Sequence, residues 1–127
     1  MSAMSDYLEL EILDHILGSG AYTMPTVYIG LSTGSFADDN SGTELAGSGY
    51  ARKAISFSAA SSSSASTSAT VTFPTATGSW GDVANWGLFD ASTAGNLLVH
   101  GAFAESKAIG NGDVLQIASG GLTVTAA

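Results

Sequence analysis

The chain has 127 residues, a formal net charge of −8 and no cysteine. This length is expected to give one domain with a sizeable core, and the missing cysteines exclude disulfides and thiolate metal sites. Eleven acidic residues face only Arg52, Lys53 and Lys107, so the charge disfavours nucleic acid and anionic membrane surfaces as partners. No apolar run is long enough for a membrane span and no signal-peptide pattern is seen, so we expect a soluble chain made in the cytoplasm.

Residues 5–18 are predicted to form the one clear helix. Together with the residues before it, this helix makes up an N-terminal amphipathic segment, residues 1–18. Ser5 or Asp6 can cap its start and Gly18 can end it. Its apolar residues recur at helical spacing, so one broad face is expected to be buried. That face comprises Leu8, Ile12, Leu13, Ile16 and Leu17, with Glu11, Asp14 and His15 opposite.

Residues 19–127 are predicted to form a mainly β domain, a β-sandwich or jelly-roll-like fold of about seven strands. Short apolar runs separated by Gly, Ser, Asn and Asp are typical of such folds. The predicted strands are Thr26–Ser32, Tyr50–Ser58, Ala69–Phe73, Val83–Asp90, Leu97–Ala104, Asp113–Ala118 and Leu122–Thr125. Turn signals at Asn111-Gly112 and Ser119-Gly120-Gly121 favour a meander of the last three strands.

Two segments between the predicted strands are unusual in composition. The polar, glycine-rich run 36–49 predicts a long surface loop. The segment 59–68 is nearly all serine and alanine, which fits either a mobile linker or an extended arm laid on a neighbour.

The candidate metal ligands and general bases are few and scattered. His100 is expected to be a partly buried structural histidine, and His15 to lie on the exposed helix face or at an interface. One oxygen-rich cluster is formed by Asp38, Asp39, Asn40 and Glu44. Its spacing does not fit an EF-hand loop, so a solvated loop is favoured over a calcium site.

Catalytic motifs are not evident in the remaining sequence. Asp82 and Asp90 are conceivable as paired carboxylates of a glycosidase, but both neighbour turn-forming residues, which favours a turn or capping role. No glycine-rich phosphate loop follows a strand and opens a helix. We therefore expect no enzymatic activity, no cofactor and no metal.

The aromatic residues are spread one or two per predicted strand, as is typical of core residues. They are Tyr50, Phe57, Phe73, Trp80, Trp86, Phe89 and Phe103. Turn formers flank Trp80, so a half-exposed platform for sugar stacking is the alternative there.

Five stretches in order along the chain carry a resemblance to a known family. They are YLELEILDHILG, AYTMPTVYIGLSTG, TELAGSGYARKAISFSAA, VTFPTATGSWGDVANWGLFDASTAGNLLVHGAF and IGNGDVLQIASGGLTVT. Together they resemble small bacteriophage virion proteins, often labelled tail fibre-like, some of which act as capsid cement or decoration proteins. The resemblance implies a β-sandwich or jelly-roll-like subunit that assembles as a trimer on a virion, with no catalytic residues to carry over.

From this resemblance we expect a capsid cement or decoration protein that binds the outer head surface and stabilises the shell. The alternative is a tail or tail-fibre component that binds a receptor or glycan. The expected partners are further copies of the chain in a homotrimer, and the major capsid protein or another virion protein. Helix 5–18 and loop 36–49 are expected to make these contacts in a virion assembled in the host cytoplasm. The interface candidates are Leu8, Ile12, Leu13, Ile16, Leu17, Tyr50, Arg52, Trp80 and Trp86.

Overall fold

The computed structural model describes residues 2–125, so residue 1 of the predicted helical segment and residues 126 and 127 of the predicted β domain lie outside the described residues. The described elements are β1 (Ser2–Met4), α1 (Asp6–Leu17), β2 (Tyr28–Ser32), β3 (Lys53–Ala54), β4 (Ser64–Ser66), β5 (Val71–Thr72), β6 (Gly81–Phe89), β7 (Leu97–Ile109), β8 (Gln116–Ile117) and β9 (Thr123–Thr125). The predicted mainly β fold with one N-terminal helix is confirmed, and its antiparallel sheets are those expected of a β-sandwich. No helix in this part of the chain is long and apolar enough to cross a bilayer.

The strands form one large antiparallel sheet and two small ones. The large sheet has five strands in the order β1-β7-β6-β2-β3, and the two-stranded sheets are β4-β9 and β5-β8. The predicted meander of the last three strands is therefore wrong, because β7, β8 and β9 each pair with a strand from earlier in the chain. The predicted turns do form, with positive φ at Gly112 and Gly120, but they carry the chain between sheets.

Each predicted strand segment contains a strand, although several are shorter than predicted. The predicted strand Tyr50–Ser58 is reduced to the two residues of β3. The strand predicted to end at Ala104 continues to Ile109. The serine- and alanine-rich segment 59–68 matches neither predicted alternative. It turns through positive φ at Ser62 and Ser63, and β4 then pairs with β9 of the same chain.

One continuous apolar core joins the large sheet to the small ones. It takes side chains from β2, β6 and β7 and from the segments around β5 and β8. Trp80 and Trp86 are both buried in it, and the Trp80 Nε1–H donates to the Ser48 carbonyl at 2.9 Å. The core interpretation of the aromatic residues thus holds for both tryptophans, and Trp80 offers no exposed ring for a sugar to stack on.

The other face of the large sheet has a shallow spot where two glycines lie opposite each other. Gly30 on β2 pairs with Gly87 on β6. A Cβ at Gly87 would come within 3.1 Å of the Phe36 ring, and one at Gly30 within 2.7 Å of the Glu44 carboxylate. Because these two residues have no side chain, loop 36–49 approaches the sheet backbone closely here. The Phe36 ring then packs edge-on against Phe89, with ring centroids 5.6 Å apart.

Gly87→Ala is expected to lower the free energy of unfolding by about 1–3 kcal/mol, since buried rings and methyl groups leave no room for the added carbon. Gly34→Ala is the matched control, because its added Cβ would lie 3.8 Å from the nearest atom and its φ is not positive. Urea titration of both variants measures the difference. Equal stability of the two variants would contradict the close approach of the loop to the sheet.

Candidate functional site

Helix α1 is anchored at its N-terminus to the beginning of strand β7. The buried Ser5 donates its amide N–H to the Leu98 carbonyl at 2.8 Å and its hydroxyl to the Leu97 carbonyl. The Ser5 Oγ also accepts the Leu8 N–H at 3.2 Å, so the predicted serine cap is confirmed. Gly18 ends the helix in the left-handed conformation, with φ of 85°, as its position predicts.

The helix carries apolar side chains on both its inward and its outward faces. Leu8 and Ile12 are half-buried, and Leu8 packs against the core. Leu10, Leu13 and Leu17 are 63%, 52% and 74% exposed. At about 100° per residue these three leucines span about 60° of the helix surface, on the side away from Leu8. We call Leu10, Leu13 and Leu17 the leucine seam.

The expectation of one broad buried face is therefore wrong for Leu13, Ile16 and Leu17. Ile16 is 71% exposed, in addition to the two seam leucines. The five residues of the predicted face span about half of the helix circumference, which is more than one sheet can cover. Sequence reasoning missed Leu10, although its spacing of three and then four residues to Leu13 and Leu17 was a usable signal. Whether the five predicted residues contact a partner stays a prediction.

The segment after the helix folds back along it and extends the apolar surface. The Tyr22 amide N–H donates to His15 Nδ1 at 3.1 Å, and Met24 is 89% exposed. Between the helix and the sheet lies an apolar crevice of about 250 Å³, lined by side chains that include Leu8, Tyr22 and Val124. The Tyr22 hydroxyl is buried without a hydrogen-bond partner in residues 2–125, and burial raises its pKa.

The helix surface is acidic as well as apolar. Its four charged side chains are Asp6, Glu9, Glu11 and Asp14, with no lysine or arginine among them. Asp6 and Glu9 lie in the first turn, where carboxylates interact favourably with the helix dipole. The exposed leucines are thus surrounded by negative charge.

Arg52 is the centre of a second, buried cluster beneath loop 36–49. Its guanidinium binds the Glu44 carboxylate through two hydrogen bonds, Nη2 to Oε1 at 2.7 Å and Nε to Oε2 at 2.8 Å. Its Nη1 donates to the carbonyls of Ala91 and Ala94 at 2.9 and 2.8 Å. The guanidinium carbon lies 3.6 Å from the centre of the Phe89 ring. With its side chain only 7% exposed, Arg52 joins two loops and has little surface to offer a partner.

Tyr50 completes this cluster from the opposite side of Glu44. Its hydroxyl donates to Glu44 Oε2 at 2.5 Å and accepts the Leu31 N–H at 3.0 Å. Burial, followed by the hydrogen bond to Glu44, raises the pKa of Tyr50. The ring also packs edge-on against Trp80 at 5.6 Å. The interface candidates Tyr50, Arg52, Trp80 and Trp86 therefore serve the interior of the subunit in this structure, and a partner contact by them stays a prediction.

The side chains of the oxygen-rich cluster are directed to separate partners. Asp38 pairs with His100, Oδ1 to Nε2 at 2.6 Å, and Asn40 Oδ1 accepts the Leu97 N–H at 2.9 Å. Glu44 binds Arg52, as described above. Within residues 2–125 no three His, Cys, Asp or Glu side chains are grouped so that they could hold a metal ion.

Asp82 and Asp90 lie at opposite ends of strand β6. Eight residues of strand separate them by about 26 Å, whereas the paired carboxylates of glycosidases are about 5–10 Å apart. Asp90 accepts the Asn96 backbone N–H at 2.7 Å and its side-chain amide at 3.0 Å. The turn role predicted for Asp90 is confirmed.

Comparison with known proteins matches the chain to one virion family model. The model is described as Podophage GP4 fiber I protein gp80, and it matches residues 3–125. The match therefore runs from β1 through the helix to β9. No curated protein matches the chain.

The triple variant Leu10→Gln, Leu13→Gln, Leu17→Gln is expected to unfold at nearly the same urea concentration as the wild type. The seam is exposed, and glutamine has a helix propensity close to that of leucine. Leu8→Gln, which faces the core, is expected to cost at least about 1 kcal/mol. An equal loss of stability in both variants would show that the seam is buried in the isolated subunit.

Arg52→Met is expected to lower the free energy of unfolding by about 2–4 kcal/mol, because Glu44 then lies without its cation. This is somewhat below the cost for fully buried pairs, since the Glu44 side chain is 24% exposed. Lys53→Met changes the adjacent, exposed residue and is expected to cost less than about 0.5 kcal/mol. Thermal unfolding of the two variants under identical conditions measures the contrast, and similar midpoints would contradict a stabilising role for the ion pair.

Proposed function

Because the chain belongs to the family of the podophage GP4 fiber I protein gp80, we propose that it is a structural component of a podophage fibre that works by contact with other virion proteins. The family match itself indicates a fibre-like phage virion protein. The observation that carries the proposal of contact is the exposed leucine seam on α1. A contiguous group of exposed apolar side chains usually marks a surface that contacts another molecule.

A fibre location is favoured over the outer head surface, which was the first expectation. The matching family is described by a fibre protein, and no feature of residues 2–125 points specifically to a capsid shell. Glycan or receptor binding receives no support from the tryptophans, because both are buried. The cement role and the homotrimer stay predictions.

The size of the exposed apolar surface indicates how strong such a contact can be. Full burial of one large aliphatic side chain contributes about 1.5–3 kcal/mol. Leu10, Leu13, Ile16, Leu17 and Met24 are between 52% and 89% exposed, so covering the exposed part of all five contributes roughly 5–10 kcal/mol. Association itself costs about 4–15 kcal/mol in lost translational and rotational freedom. One such contact is therefore weak to moderate, and several copies held on one particle would add their contacts through avidity.

The β body is suited to support this contact without changing shape. The Arg52–Glu44 pair holds loop 36–49 and residues 91–94 together, and Ser5 fixes the start of the helix to β7. A surface held in its binding geometry loses less conformational entropy on association. We propose that the sheets serve as a rigid spacer and that the helix forms the contact.

Location on the particle is tested by electron microscopy of virions labelled with gold-conjugated antibody against this chain. Label at the tail fibres is expected. Label spread over the head surface, together with heads that break on heating when the protein is missing, would contradict the fibre role and favour the cement role.

Incorporation of variants tests the contact itself. Virions from cells that supply only the Leu10→Gln, Leu13→Gln, Leu17→Gln variant are expected to lack the protein, because the seam no longer binds. Lys53→Met is the matched surface control and is expected to be incorporated like the wild type. Quantitative mass spectrometry of purified particles measures both, and normal incorporation of the triple variant would show that the seam is not the contact.

A further inference from the structure

We infer that the leucine seam of α1 binds an amphipathic helix of a different virion protein, and that basic residues flank the apolar positions of that helix. The inference rests on the proposed function only for the location of the partner on the particle. Its chemistry follows from the spacing of the leucines and from the charges beside them.

The spacing of the seam matches the contact line of helix–helix packing. Leu10, Leu13 and Leu17 are separated by three and then four residues, as are successive core positions of a heptad repeat. Leu8 and Ile12 occupy the other side of the same helix, so α1 has apolar side chains on two sides. The inward side lies against the sheet, and the outward side is exposed in residues 2–125.

The charges beside the seam argue against a second copy of the same helix. With Leu10 and Leu17 at the first core position of the heptad, the flanking positions hold Glu9 and Asp14 together with the uncharged Tyr7 and Ile16. These flanking positions face each other across a pair of helices and decide the choice of partner. Two copies of α1 would bring carboxylates together in either orientation, because the helix has no lysine or arginine.

No helix in residues 2–125 presents a lysine or arginine to the seam, because Arg52, Lys53 and Lys107 all lie outside α1. The Arg52 guanidinium is bound to the Glu44 carboxylate and to two carbonyl groups beneath the loop. Lys53 lies on the short edge strand β3. Lys107 lies near the far end of β7, about 30 Å along that strand from Leu98, where the helix is anchored. A partner helix with leucine-like core positions would cover the seam, and lysine or arginine beside those positions would pair with Glu9 and Asp14.

Synthetic helical peptides of about three heptads serve as probes, since this length supports helix formation. The first has leucine at the core positions and lysine at the flanking positions, and the second has glutamate in place of the lysines. Fluorescence anisotropy with the full chain is expected to show binding of the lysine peptide at least about 10-fold tighter than that of the glutamate peptide. Equal binding of both peptides, or binding of neither, would overturn the inference.

Two variants separate binding at the seam from general attraction of a basic peptide to an acidic chain. The Leu10→Gln, Leu13→Gln, Leu17→Gln variant keeps all carboxylates, so it is expected to lose at least about 10-fold in affinity for the lysine peptide. The Glu9→Lys, Asp14→Lys variant keeps the leucines and is expected to prefer the glutamate peptide. Unchanged binding by the triple variant would show that charge alone attracts the peptide, and an unchanged preference in the charge variant would show that the flanking positions do not select it.

Sedimentation velocity decides whether the occupant is a second copy. The wild type and the triple variant are expected to sediment alike, whatever oligomer other surfaces form. An oligomer that the wild type forms and the triple variant does not would overturn the inference in favour of self-association. Microscopy that places the protein away from the fibre would contradict the proposed function and leave the peptide preference unchanged, so the two failures are distinguishable.

Discussion

The largely buried ion pair between Arg52 and Glu44 holds loop 36–49 and residues 91–94 together. Removing two charges from water is costly, and the cost is offset only when the geometry is good and the remaining donors are satisfied. Here the carboxylate is bound by two nitrogens, and the third nitrogen bonds two carbonyls. The arrangement also needs the clearance at Gly30, because a Cβ there would lie 2.7 Å from Glu44. Gly30 on the sheet thus leaves room for the Glu44 carboxylate, and Arg52 holds that carboxylate in place.

The helix depends on this body but takes no part in its core cluster beyond its first turns. Ser5 and β1 attach it to β7, and its second half lies exposed with Ile16 and Leu17 in solvent. The direction in which the leucine seam points is therefore set by hydrogen bonds at one end of the helix. Beneath it lies the apolar crevice beside Tyr22, whose hydroxyl is buried without a hydrogen-bond partner in residues 2–125.

Local signals in the sequence predicted local structure well. Ser5 and Gly18 bound the helix where the sequence placed its ends, and the turns at Gly112 and Gly120 form as predicted. Pairing was not predictable from those turns, because a turn fixes where the chain reverses and not which strand it joins. The outward leucines were misjudged because periodicity shows which residues are apolar but not how much of the helix the sheet covers. The ion pair was missed because it joins two residues that no predicted strand pairing brings together, and the tertiary fold sets the directions of their side chains.

The edges of the large sheet affect how the folded chain can meet neighbouring molecules. Exposed strand edges are templates for adding further strands, which leads to uncontrolled aggregation. Here the outer strands are β1 with three residues and β3 with two, and β3 carries Lys53. These outer strands are short and one carries a charge, so they offer little backbone to a neighbouring molecule, although β7 extends beyond its pairing with β1. Contacts between neighbouring molecules are therefore favoured through side chains over the growth of a continuous β-structure.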